Sequence, residues 1–304
     1  MIEIKLEKRF KENSEEIISK YFDDKKYKEI SSYMKNISND FPDIKDLVFM
    51  EKLSTLETIT FYIKRYILDI INFFSLNDKN DAKHSKELYE NIAMESFQLD
   101  KSKNKIISIF NGKPLYASLW NRRVDAARDF MDKINEIDAK TILEVGCGEG
   151  IVLFTALQID HNFLDDKSWK GFDLSVASAL NCKALFENCD LSKECDIDIY
   201  NGDATNIHFN DKTYDVTVCN SVLDQIKYKK LDALSEMMRV AKYSIIREPI
   251  INRQSRSGKI HFRKNDYCLL QVEDIERFGE ILSIENCPLG DPTYMHSIIL
   301  TENY

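Results

Sequence analysis

The chain has 304 residues, 43% of them hydrophobic and 31% charged, with a net charge of −9. Those proportions describe a soluble globular protein of one large or two modest domains, and the acidity argues against a nucleic-acid groove spread over the whole molecule. The seven cysteines are scattered without a C-x-x-C pair, which points to reduced thiols in a cytoplasmic protein and gives no metal site.

Met1 to Lys11 is charged throughout and has no signal-like apolar core. The most apolar helix candidate, Thr60 to Ser75, is interrupted by Lys64, Arg65, Asp69 and Asn72, so it is too short and too charged to span a bilayer. Before Gly112 there is no glycine, and Pro42 is the only proline. From Asp43 to Phe110 nothing breaks a helix, and Leu53, Leu56, Ile59, Ile63, Tyr66, Ile67, Ile70 and Ile71 recur at helical spacing. Residues 81 to 99 read as a further amphipathic helix, with Leu88, Ile92, Ala93 and Phe97 on one face. Residues 1–110 therefore read as an all-α N-terminal domain that serves as a lid, a dimer surface or a substrate-binding element. The boundary falls at Asn111-Gly-Lys-Pro114, and residues 111–304 form the remainder. The first part carries a net charge of −1 and the second −8. The apolar face around Phe61, Tyr62, Phe73 and Phe74 reads by default as core, because aromatic stripes at helical spacing usually pack inside.

Next comes Thr141-Ile-Leu-Glu-Val-Gly-Cys-Gly-Glu-Gly-Ile151. Ile142, Leu143 and Val145 fit a strand covered on both faces. Three of the chain's nine glycines, Gly146, Gly148 and Gly150, follow at alternate positions. Such a turn lets backbone approach a ligand, and the helix it opens, Ile151 to Gln158, points free N–H groups at it. A nucleotide-type site needs an acid at the end of the next strand, about 20 residues on. Asp173 supplies it, with Ser175 as N-cap of a helix from Val176 to Glu187. A third strand, Asp196 to Tyr200, ends in Asn201-Gly-Asp-Ala204. A fourth, Tyr214 to Asn220, ends in Ser221-Val-Leu-Asp224. This order describes an α/β, doubly wound sheet with a ligand across its carboxyl edge. The glycine spacing is neither G-x-G-x-x-G nor a P-loop.

Together these motifs, over roughly Leu115 to Tyr304, resemble the class I S-adenosylmethionine-dependent methyltransferases. The resemblance implies a seven-stranded, mostly parallel sheet with a C-terminal antiparallel hairpin formed by Gly279 to Pro288 and Tyr294 to Thr301, and a fifth strand over Ala241 to Pro249. It implies that Glu144, Gly146, Cys147, Gly148 and Gly150 form the cofactor turn. Asp173, with Leu174, would hold the ribose hydroxyls, and Asp203 and Ala204 would lie beside the adenine. Asn220 and Ser221 would lie under the methionine part. S-adenosyl-L-homocysteine is then the product. Tyr116-Ala-Ser-Leu-Trp-Asn-Arg-Arg123 is the approach segment: Arg122 or Arg123 is placed to pair with the methionine carboxylate, Arg122 being taken first, while Tyr116 and Trp120 would line the substrate pocket.

The connection after strand five holds Arg253, Arg256, Lys259, Arg263 and Lys264 and no acid. Arg253 and Arg256 are therefore expected to bind an acidic group, a phosphate or carboxylate, on a small-molecule acceptor. An oxygen nucleophile would benefit from a base, for which Asp224, Glu248 and His261 are the candidates. The absence of an Asn/Asp-Pro-Pro-aromatic turn after strand four and of a Pro-Cys nucleophile argues against base and glutamine methylation. That leaves a small metabolite first and a protein side chain second. A non-catalytic binding protein of the same fold is the reading from a different class, disfavoured by the intact glycines, Asp173 and Asp203.

Overall fold

Burial on both faces decides the centre of the molecule. In the computed structural model, which describes residues 4–6, 32, 51–74, 105–110, 113–189, 195–254, 268–287 and 295–302, Ile142 and Leu143 are neighbours in one strand yet enter opposite hydrophobic cores. That is the pattern of a parallel strand covered by helices above and below.

In chain order the described elements are β1 (Ile4–Leu6), β2 (Glu51–Lys52), α1 (Thr55–Phe74), β3 (Lys105–Phe110), β4 (Lys113–Ser118), α2 (Leu119–Glu136), β5 (Thr141–Val145), α3 (Ile151–Ile159), β6 (Ser168–Asp173), α4 (Val176–Asn188), β7 (Asp196–Asn201), β8 (Tyr214–Asn220), α5 (Lys230–Val240), β9 (Ala241–Glu248), α6 (Val272–Glu276), β10 (Glu280–Cys287) and β11 (Met295–Thr301). The main sheet runs β1-β7-β6-β5-β8-β9-β11-β10. Strands β1 and β5–β9 are parallel, while β11 pairs antiparallel with both β9 and β10. Its seven strands from β7 to β10, closed by the antiparallel hairpin, are the sheet that the motifs imply. The eighth, β1, adds to the outer edge of β7.

One core lies beneath α2, α3 and α4, with Phe130, Ile134, Phe154, Leu157 and Leu185 buried against Val216 and Val218. The other lies under α5, where Leu234, Met237 and Val240 meet Leu143, Cys219 and Ile298. Helix α2 begins where Ser118 Oγ accepts from the Asn121 N–H at 3.0 Å, an N-cap that turns the chain out of β4. Its stripe Val124, Ala127, Phe130, Met131 and Ile134 faces inward.

The all-helical expectation for residues 1–110 is corrected at three places. Ile4–Leu6 joins the main sheet, and Glu51–Lys52 and Lys105–Phe110 flank β4 in a three-stranded antiparallel sheet. Lys105-Ile-Ile-Ser-Ile-Phe110 is rich in β-branched residues and pairs with Lys113–Ser118, so tertiary pairing prevails over a stretch that no glycine or proline interrupts. A helix does occupy Thr55–Phe74, capped by Ser54, whose N–H donates to Glu57 Oε2 at 2.9 Å while its Oγ accepts from the Glu57 N–H. The expected helix over 81–99 lies outside the described residues.

Candidate active site

The glycine turn is held by the strand beside it. The N–H groups of Gly146 and Cys147 both donate to the Phe172 carbonyl, at 2.9 and 3.0 Å. Gly146, Gly148 and Gly150 sit at φ +70°, +54° and +75°, which L side chains adopt only with strain. A Cβ on Gly150 would stand 2.5 Å from Cys182 Sγ and 2.7 Å from the Phe186 ring, whereas one on Gly148 would meet nothing within 4 Å. Gly150 therefore exists for packing, and Gly148 faces open space. The two substitutions should separate. Gly150→Ala should lower stability by about 3 kcal/mol, the sum of left-handed strain and overpacking. Gly148→Ala should cost only the strain, about 1–2 kcal/mol, yet put a methyl group into the cavity. Thermal unfolding checks the first statement, and calorimetric titration with S-adenosylmethionine the second.

Asp173 clasps the turn. Its Oδ2 accepts from the Gly148 N–H at 2.9 Å and its Oδ1 from the Ser175 N–H at 2.8 Å. The chain behind is fixed by Asn201, whose Nδ2 donates to the Asp173 and Leu174 carbonyls at 2.9 and 3.1 Å. Ser175 caps α4 as expected, accepting from the Ser178 N–H at 3.1 Å. Asp203 Oδ1 accepts from the N–H and the hydroxyl of Thr205, both at 2.8 Å, so the next loop is ordered by its own acid.

These groups face one cavity of about 620 Å³ on the carboxyl edge of β5, β6, β7 and β8, within the ~300–1,000 Å³ of small-molecule sites. It brings together Glu144, Gly146, Cys147, Gly148, Asp173, Leu174, Asp203, Ala204, Asn220 and Ser221, all expected there; Gly150 lies just behind the wall. Glu144 is buried and accepts from Trp169 Nε1 at 3.0 Å; burial pushes its pKa up to about 8. Its proton-bearing form suits an apolar floor better than a charge would.

Four expectations are corrected. Arg123, not Arg122, lines the cavity. One residue along a helix turns the side chain by about 100°, which carries Arg122 off this wall. Burial lowers the Arg123 pKa to about 10 against the opposing pull of Glu149. Tyr116 and Trp120 are not on the wall: the Tyr116 hydroxyl donates to Glu57 Oε1 of α1 at 3.4 Å, and Trp120 is in the core on the inner face of α2. Asp224 and Glu248 are buried outside the cavity. Glu248 accepts from the N–H groups of Val222 at 2.6 Å, Leu223 at 2.9 Å and Asp224 at 3.3 Å, so it holds the turn after β8 rather than facing substrate. Burial raises the Asp224 carboxyl to about 7 and Glu248 well above the ordinary range; the two close acids in a dry site disfavour a double charge. Arg253 is exposed on the short turn after β9 and does not line the cavity. Arg256 and His261 lie outside the described residues.

The sequence reading missed Glu149, Thr205 and the strip Gln225 to Lys229, all on the cavity wall. In that strip Lys227 Nζ lies 5.6 Å over the Tyr228 ring, which is exposed. It also missed Arg247, whose Nη1 donates to Asn220 Oδ1 at 3.2 Å.

The fit to an adenosyl-methionine ligand rests on this geometry: an open glycine backbone, an acid with two oxygens beside it, a further acid one strand away and a buried cation, Arg123, lining the same cavity. Residues 142–244 match the family model described as "Methyltransferase domain". No curated protein sequence matches the chain. Among solved structures, magnesium protoporphyrin IX methyltransferase from Synechocystis PCC 6803 with bound S-adenosylhomocysteine is 10% identical, with a TM-score of 0.52 over 73% of this chain and 100% of that one. A methyltransferase from Methanosarcina mazei is 15% identical with a TM-score of 0.44, covering 53% and 92%. A mitomycin 7-O-methyltransferase is 14% identical with a TM-score of 0.46, covering 60% and 54%. The chain thus carries a segment that matches a methyltransferase domain, on a Rossmann-like α/β fold shared with the Synechocystis structure.

Proposed function

We propose that the protein transfers the methyl group of S-adenosylmethionine to an oxygen or nitrogen of a small acidic metabolite by in-line displacement. The observation that carries this reading is the single cavity in which the Gly148–Asp173 cradle adjoins the strip Asn220 to Lys229. The bound sulfonium supplies an already activated methyl group, so the chain's work is to hold and orient. Asp173 accepts from the ribose hydroxyls, and the Asp203 loop takes the adenine. Arg123 pairs with the methionine carboxylate through its fork of donors. Asn220, gripped by Arg247, forms the wall on the acceptor side.

Lys227 and Lys229 at the cavity, in a domain of net negative charge, support an acidic acceptor; Arg253 and Arg256 remain proposed as a second contact, on the segment leaving β9. Glu248 is occupied with backbone N–H groups, and both it and Asp224 are too deeply buried to act as bases, so rate then comes from positioning. Residues 111–304 perform the chemistry, and residues 1–110 serve association rather than catalysis. None of the seven cysteines forms a disulfide, which supports a reducing, cytoplasmic setting; no helix among the described residues is long and apolar enough to cross a membrane.

Calorimetry with S-adenosylmethionine and S-adenosylhomocysteine tests the cofactor part, and release of S-adenosylhomocysteine over a panel of hydroxy and amino acids with their uncharged amides tests the acceptor part. Absence of binding would overturn the first; equal turnover of acids and amides would overturn the second. Arg123→Met should weaken S-adenosylmethionine binding by about 10–100-fold, the worth of one charge-assisted pair, and leave adenosine binding unchanged in the same titration. Equal loss for both ligands would remove Arg123 from the carboxylate.

A further inference from the structure

Helix α1 carries an anomaly that methyl transfer does not explain. Leu56, Ile59, Ile63, Tyr66 and Ile70 follow one another at intervals of three, four, three and four residues. That is the a/d spacing of a left-handed helix pair, which keeps one seam on one side over four turns. Tyr62 and Ile67 widen it. All seven side chains are exposed, by between 43% and 75%, and isolated apolar residues are ordinary on a surface whereas a continuous stripe of this kind is not. Beyond these seven, the large hydrophobic residues exposed among the described ones are Tyr228 and Leu282.

We infer that the α1 seam is an interface between two copies of this chain. A 3-4 stripe of large aliphatic side chains is shaped to receive another helix, since the knobs of one seam fill holes between those of the next. The partner must carry the same kind of seam, and an identical copy does so by construction. Laid antiparallel about a two-fold axis at Ile63, Leu56 of one copy meets Ile70 of the other and Ile59 meets Ile67, so the contact closes on itself as a dimer interface requires. At the area that large side chains present, seven residues exposed to this degree offer roughly 600–700 Å² per copy, close to the ~800 Å² per partner of a standard stable interface. Glu57, Lys64 and Arg65 lie on the opposite face of the helix. These charges argue against burial in lipid, in line with the absence of a spanning helix among the described residues. The inference stands apart from the methyl-transfer reading.

Sedimentation of the full-length chain at about 10 μM, where an interface of this size should be populated, tests it. The wild type should be a dimer. Ile63→Lys and Ile63→Glu, each at an exposed position that leaves folding intact, should each weaken association by roughly 100-fold, because a like charge would be buried against its twin at the centre of the seam. Mixing the two variants should restore a dimer. Lys64→Glu, off the seam, should leave association unchanged, and S-adenosylmethionine binding should survive in all three. A monomeric wild type would overturn the inference and indicate that the chain covers its own seam. A dimer indifferent to both Ile63 variants would place the interface elsewhere. A monomeric pair that mixing fails to restore would contradict the two-fold at Ile63.

Discussion

Asp173→Ala should reduce S-adenosylmethionine affinity by at least about 100-fold, with little of the loss recovered at higher protein concentration. Two effects combine at this carboxylate. It ties the glycine turn to the loop after β6 by accepting from Gly148 and Ser175, and in the proposed binding mode its remaining lone pairs accept from the ribose. Hydrogen bonds to a charged group are worth about 1.5–3 kcal/mol each, so two ribose contacts alone correspond to roughly 3–6 kcal/mol. Releasing the Gly148 N–H also frees a turn whose left-handed glycines have no other side-chain clasp among the described residues. Asp173→Asn keeps the shape and one acceptor, and should fall between, at about 10–100-fold. Calorimetric titration reads both variants, and the rise in unfolding temperature on adding S-adenosylhomocysteine should vanish for Asp173→Ala. Affinity within threefold of wild type would remove Asp173 from the site.

The turn around Asp173 was readable in the sequence because its physics is local. A glycine must sit where φ is positive, an acid must end the neighbouring strand, and both requirements write themselves into fixed spacings. Tyr214–Asn220 was readable for the same reason: a strand buried on both faces must be apolar at every position that matters. Lys105–Phe110 was missed although its partner β4 is next in sequence, Phe110 pairing with Lys113 and Lys105 with Ser118: Asn111-Gly112 between two apolar runs is a local hairpin signal, which a reading of that segment as a domain boundary alone passes over. Arg122 against Arg123 could not be separated without the phase of α2. Asp224 and Glu248 misled because a polar residue at a strand end reads as facing a ligand, whereas here the ligand of Glu248 is the chain's own backbone. Lys227-Tyr228-Lys229 carries no motif of its own; only the cavity beside it gives the cations a role.

The same distinction between local and distant partners makes Arg247 the most exposed point of the domain's electrostatics. It lies in β9 with its side chain buried. Its guanidinium pairs with Asp125 of α2, stands 3.8 Å from Asp129 and donates to Asn220 on the cavity wall. Asp129 is shared with Lys133, at 2.8 Å, and with Ser297 of β11. Arg247→Met would withdraw a buried cation from Asp125 and Asp129. Breaking a buried pair on one side costs about 3–5 kcal/mol, because the abandoned charge stays desolvated, and that should lower the unfolding temperature by roughly 10 °C for a chain of this size. Arg247→Lys keeps the charge and loses the fork that spans Asp125 and Asn220 together, so it should recover stability only in part. Arg247→Met with Asp125→Leu should be more stable than Arg247→Met alone, since an apolar pair replaces an acid that has lost its Arg247 partner. Function should follow geometry: freed from Arg247, Asn220 loses its fixed orientation, and the Michaelis constant for the acceptor should rise more than the dissociation constant for S-adenosylmethionine. Stability of Arg247→Met within 1 kcal/mol of wild type, read by denaturant unfolding, would show that the acids shed their charge without cost and that the network does not anchor the acceptor wall.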